Sequence, residues 1–175
     1  MATIMPPPAA TEAADYYFTY INKVPPGDIR ATLEAQTADC LTLFDGISDA
    51  DSMQRYAEGK WSLRGVLGHI NDCERMFVFR ALWFARGFDT ALPSFDETTA
   101  AAHDGADGRS WHSHVDEFTS VRGSTLAFFR HLPDEAWMRR GTASGNSFTV
   151  NALAYIAAGH VAHHLALVRE RYLKK

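Results

Sequence analysis

The stretch from Val150 to Leu173 constrains this chain more than any other. At helical periodicity Val150, Leu153, Ala154, Ala157, Val161, Leu165, Val168 and Tyr172 make one apolar arc, with Thr149 placed to cap its start. Alanines at Ala152, Ala154, Ala157, Ala158, Ala162 and Ala166 keep the side chains short, so neighbouring helices can pack close to this backbone. Inside the run, Gly159-His160-Val161-Ala162-His163-His164 sets His160 and His164 four residues apart, on adjacent turns of one face. Two imidazoles so placed suit a shared divalent ion, and they equally suit a hydrogen-bonded pair in a core or at an interhelical water site. His163 turns away from His160, which assigns it to the surface or to a dimer face.

Three more helices follow from the same periodicity. The first starts after Asp28, carries Ile29, Leu33, Leu41 and Phe44, and ends near Gly46; a polar connection from Ser48 to Lys60 follows. Ser62 caps the second, whose arc runs through Leu63, Val66, Leu67, Ile70, Phe77, Val78, Ala81 and Ala85. His69 lies on the flank of that arc with Cys73, Met76 and Arg80, facing a groove between helices, and is the candidate third imidazole. Glu74 falls near the centre of the arc, where an unpaired carboxylate would cost several kcal/mol; Arg171 or Arg80 is the expected partner. Asp72 is a candidate to orient an imidazole, and Cys73 reads as a small buried hydrophobe within reach of a metal. The third helix begins near Ser110, carries Val115, Phe118, Val121, Leu126 and Phe129, and stops before Pro133.

Between the second and third helices, Gly87 to Arg109 is a long loop, a lid or a crossover along the bundle, from which Asp96 or Glu97 could reach the site as a base. Gly141 to Ser147 reads as a loop with two glycines, and no strand pattern is visible. The expected fold is all-α: a four-helix bundle with a long crossover between helices 2 and 3, one domain over residues 15–175 behind a loosely attached leader, 1–14. Phe77, Trp83, Phe118, Phe128 and Phe129 are assigned to the core, and His103, His112, His114 and His131 to solvent.

Bulk properties exclude some functions. A net charge of −4 with no Lys/Arg cluster provides no field for nucleic acid. No apolar run reaches the ~20 residues that span a bilayer. The leader lacks the basic and apolar regions of a signal peptide, and Cys40 and Cys73 make no disulfide framework, so the cytoplasm is the expected compartment.

Three sequence blocks carry a resemblance: Tyr56-Ala57-Glu58-Gly59-Lys60-Trp61-Ser62; Gly68-His69-Ile70-Asn71-Asp72-Cys73-Glu74-Arg75; and Ala158-Gly159-His160 through His163-His164 to Arg171-Tyr172. In this order and spacing they resemble the DinB/YfiT-like superfamily, over Tyr20 to Leu173. The resemblance implies an up-down-down-up four-helix bundle, often a homodimer, with zinc or nickel on His69, His160 and His164. It also implies a small-molecule substrate and, in some relatives, a transferase or isomerase reaction of a low-molecular-weight thiol such as mycothiol or bacillithiol. Three neutral imidazoles leave coordination positions open. Such an ion serves a hydrolase through bound water or a transferase through a bound thiolate; a non-catalytic metal-binding bundle is the remaining alternative. No glutamate follows His160 as in His-Glu-x-x-His helices, which argues against proteolysis.

Overall fold

Four capping side chains set the frame. Asp28, Ser62, Ser110 and Thr149 each accept a hydrogen bond from a first-turn amide, of Arg30, Gly65, Ser113 and Ala152 respectively. The structure is a computed structural model and describes residues 4–173. Its helices are a short α1 (Phe18–Ile21), α2 (Ile29–Asp45), α3 (Leu63–Ala85), a two-turn α4 (Glu97–His103), α5 (Trp111–Arg130) and α6 (Val150–Leu167). The long helices α2, α3, α5 and α6 form the bundle: α3 packs on α5 and α6, and α2 lies against the same two from the other side.

Every residue of α6 from Val150 to Val161 is buried. This helix is apolar all round, as a central helix must be, and its alanines let α1, α2 and α3 close on it. Around it Leu33, Phe77, Phe84, Phe129, Trp137 and Ile156 fill one half of the core, and Phe44, Leu67, Ile70, Phe118 and Val161 the other. Each such side chain contributes about 1.5–3 kcal/mol on burial. Trp83 and Phe128, expected inside, are half-buried at the core edge.

The fold departs from an all-helical reading in one respect. A two-stranded antiparallel hairpin, β1 (Arg140–Ala143) and β2 (Asn146–Thr149), occupies the segment read as a loop. Ser144 and Gly145, both at positive φ, form its two-residue turn. Strands of four residues are too short to show an alternating pattern. The hairpin also holds the long crossover: Leu92 donates its N–H to the Thr142 carbonyl and accepts from the Ser144 N–H. The crossover is therefore a packed element containing α4.

The segment expected as a loose leader is attached where it is described, its first three residues lying outside the described range. Glu12 is buried and accepts hydrogen bonds from the Thr149 hydroxyl at 2.6 Å and from the Ala9 amide at 2.9 Å. Asn151 donates to the Pro6 carbonyl at 3.1 Å. Polar groups at the start of α6 supply partners that a proline- and alanine-rich composition does not reveal.

Candidate functional site

His69 projects from α3 and His160 and His164 from α6, at the level where those helices pack. Nε2 of His160 stands 3.1 Å from Nε2 of His69 and 3.1 Å from Nε2 of His164. His69 and His160 are buried and His164 half-buried. Burial pulls the His69 imidazole down to about 4 and that of His164 to about 3. His160 is lowered well below its ordinary value, by burial first and then by the neighbouring imidazoles. All three are thus neutral near pH 7, with a lone pair available.

These distances test whether a metal fits. Ligands about 2.0–2.1 Å from an ion, at tetrahedral or octahedral angles, stand roughly 2.9–3.4 Å apart. Both contacts of His160 fall in that interval. Hydrogen bonding accounts for them less well, because a neutral ring nitrogen carries one hydrogen or one lone pair, and His160 Nε2 faces two partners. The donor set fits a divalent cation.

Aromatic rings flank the cluster. Trp61 lies over His69 with centroids 5.0 Å apart, while Phe77 and Tyr20 meet the His160 ring at 5.6 and 5.4 Å. Gly159 makes the Tyr20 contact possible, since a Cβ at that position would overlap the Tyr20 backbone carbonyl. Burial raises the Tyr20 phenol, so it keeps its proton and can serve only as a neutral group. His163, assigned to the surface or to a dimer face, is half-buried with its ring against Tyr20.

A pocket of about 80 Å³ adjoins the histidines, with His160, Cys73, Glu97, Arg80, Tyr17 and Tyr20 on its walls. Glu97, in the first turn of α4, has a carboxylate oxygen within 4.8 Å of a His69 ring nitrogen and of Cys73 Sγ. Its neighbour Asp96 is used differently, as the N-cap of α4. Cys73 Sγ lies 3.6 Å from His69 Nδ1, and burial pushes its thiol up to about 12, which rules out a free thiolate nucleophile near neutral pH. Asp72 bonds to Arg75 at 3.4 Å and to no imidazole.

The expected partners of Glu74 were wrong. Arg171 is exposed, and Arg80 bonds to Ser144 and Pro93. Glu74 is held by Arg122 of α5, a residue the sequence reading missed, through Nε to Oε1 at 2.8 Å and Nη2 to Oε2 at 2.7 Å. A signal existed: Arg122 lies on the arc of Phe118, Val121, Thr125 and Phe129, a lone cation on one apolar face matching a lone anion on another. His114, assigned to solvent, is fully buried, and its Nε2 bonds to the Ala106 carbonyl at 2.9 Å, tying the crossover to α5.

The sequence profile of the DinB superfamily matches residues 32–168, which include all three histidines. The chain belongs to the DinB superfamily. Among solved structures, a DinB-like protein from Bacillus subtilis, YfiT, superposes with a TM-score of 0.60 at 19% identity, over 93% of this chain and 91% of that one. YfiT is described as a probable metal-dependent hydrolase with an unusual four-helix bundle topology. No curated protein matches. No helix of the described residues is long and apolar enough to cross a membrane.

The buried imidazoles of this DinB-superfamily chain make the stability of the metal-free protein depend on pH. Their folded pKa values lie below the ordinary value of 6.5, so on acidification the unfolded chain takes up protons that the fold refuses. Stability is full above about pH 7 and falls as pH drops from 6.5 toward 4, on the order of 1 kcal/mol per pH unit for each histidine. Thermal melts of metal-free protein between pH 7 and 5 are expected to show this slope. The double variant His69→Gln, His164→Gln should flatten it, and an unchanged slope contradicts the assignment.

Proposed function

We propose that the chain is a divalent-metal-dependent hydrolase of small molecules, its ion held by His69, His160 and His164. The observation that carries this reading is the convergence of three neutral imidazole nitrogens beside a pocket that also contains a carboxylate. Zinc and nickel both suit the donor set. Bound by these three imidazoles, such an ion would supply Lewis acidity that makes water more acidic. Glu97 stands where it would take a proton from an attacking water and return it to the leaving group, so that water adds across an ester or amide bond and the acyl–oxygen or acyl–nitrogen bond breaks. Cys73 positions the His69 ring through its contact at Nδ1, and Tyr20, Trp61 and Phe77 pack against the imidazole rings and restrict their rotation. The description of YfiT favours hydrolysis over the small-thiol transfer that the resemblance implies. The up-down-down-up order of helices belongs to the same proposal and agrees with the long connection from α3 to α5.

Metal-loaded protein assayed on a panel of small esters and amides tests the reading. The Glu97→Gln variant is expected to keep its metal and lose roughly 100-fold or more in kcat. Unchanged kcat in that variant removes Glu97 from the mechanism, and turnover that requires an added thiol contradicts hydrolysis.

A further inference from the structure

We propose that the pocket beside the histidines takes a small carboxylic acid, with Arg80 binding its carboxylate. This names the substrate class for the hydrolase reading and rests on it only for where the reaction occurs.

Arg80 is 3% exposed and lines the pocket. Its Nη2 donates to the Ser144 hydroxyl at 2.9 Å and to the Pro93 carbonyl at 3.2 Å, and the Tyr17 hydroxyl and the Cys73 thiol are further polar neighbours. All these partners are neutral, and among the described residues no carboxylate pairs with it. The two other deeply buried arginines are treated differently: Arg122 holds Glu74, and Arg64 holds Asp49 at 2.7 Å. A buried cation is expensive unless an anion compensates it, and removing the compensating partner from such a pair costs several kcal/mol. Arg80 therefore stands as half of an ion pair, fixed in place by three different segments: Tyr17 before α1, Pro93 in the crossover and Ser144 in the hairpin turn.

Placement and size give the chemistry of the missing half. The guanidinium fork matches a carboxylate bidentately, with more specificity than a point charge provides. His160 and Glu97 lie on the same pocket, so an acid held at Arg80 presents the rest of its skeleton to them. A volume of about 80 Å³ is room for roughly three waters, which suits an acid of a few heavy atoms.

The test compares propionate with its neutral isostere propionamide, titrated into metal-free full-length protein so that carboxylate binding to an ion cannot mimic the result. Calorimetry gives the affinities, and the Arg80 Nε–Hε NMR resonance reports the place. Propionate is expected to shift that resonance and to bind at least about tenfold more tightly than propionamide. Arg80→Gln should abolish the preference and leave zinc binding unchanged, while Arg80→Lys should retain part of it. If Arg80→Gln fails to fold by circular dichroism, Ser144→Ala, which removes one neutral partner of the fork, should reduce the preference several-fold. Equal affinities for the two probes, no binding of either at millimolar concentration, or a preference that survives Arg80→Gln overturns the inference. Loss of metal binding with the carboxylate preference intact would sink only the hydrolase reading; metal-dependent turnover without the preference would sink only this one.

Discussion

Arg122→Ala is expected to destabilise the fold by about 3–5 kcal/mol, the largest loss from any single side chain outside the aromatic core. Arg122 is fully buried and its guanidinium does more than meet Glu74. Nη1 donates to Gln36 Oε1 at 2.9 Å and to the Leu33 carbonyl at 3.3 Å, and Gln36 Nε2 donates to the Ala158 carbonyl at 2.8 Å. One connected set of polar groups thus joins α5 to α3, α2 and α6. Removing the cation leaves the Glu74 carboxyl group in an apolar interior with its two hydrogen bonds to Arg122 lost. For a chain of this length the melting temperature should fall by roughly 10–15 °C. Replacing both members, as Glu74→Leu with Arg122→Met, should recover more than half of the loss, because the penalty comes from the orphaned carboxyl group. A single-variant loss below about 1 kcal/mol, or a double variant no better than the single one, contradicts this account. Metal affinity should be unaffected by either, since the pair touches none of the three histidines.

The second large effect concerns His160, whose Nε2 is common to both short contacts of the cluster. His160→Ala should lower zinc affinity by more than about 100-fold, beyond what loss of an outer-sphere partner costs. Zinc in thousandfold excess over its dissociation constant should stabilise the wild-type protein by about 4 kcal/mol, read as a rise in melting temperature. The same zinc should stabilise the variant by no more than about 1.4 kcal/mol, a rise in melting temperature no more than about a third of the wild-type one. A rise equal to that of the wild type would place the ion elsewhere.

How far the sequence anticipates this structure depends on the range of the forces involved. The capping residues Asp28, Ser62, Ser110 and Thr149 act within one turn, and the long helices begin where those side chains predict. The pairing of His160 with His164 is equally local, set by helical pitch. That His69 meets them depends on the rotation of α3 against α6; the flanking position of His69 on its wheel suggests it, and only the packed bundle brings the atoms to 3.1 Å. The partner of Glu74 was misassigned for the same reason, because neighbours across a bundle are set by packing and not by sequence separation. Of the two candidate bases on the crossover, Asp96 is taken by the cap of α4 and Glu97 lies on the pocket, a difference of one residue that becomes visible only once α4 is known to exist. The hairpin escaped notice because it is held by tertiary bonds to Leu92 and not by its own apolar pattern.

The most direct measurement is X-ray absorption spectroscopy on protein produced without a polyhistidine tag and saturated with zinc. The account predicts one ion per chain with three imidazole nitrogens at about 2.0–2.1 Å and oxygen from solvent completing the shell. A shell closed by four protein ligands, one containing sulfur, or failure to retain zinc at all would contradict it.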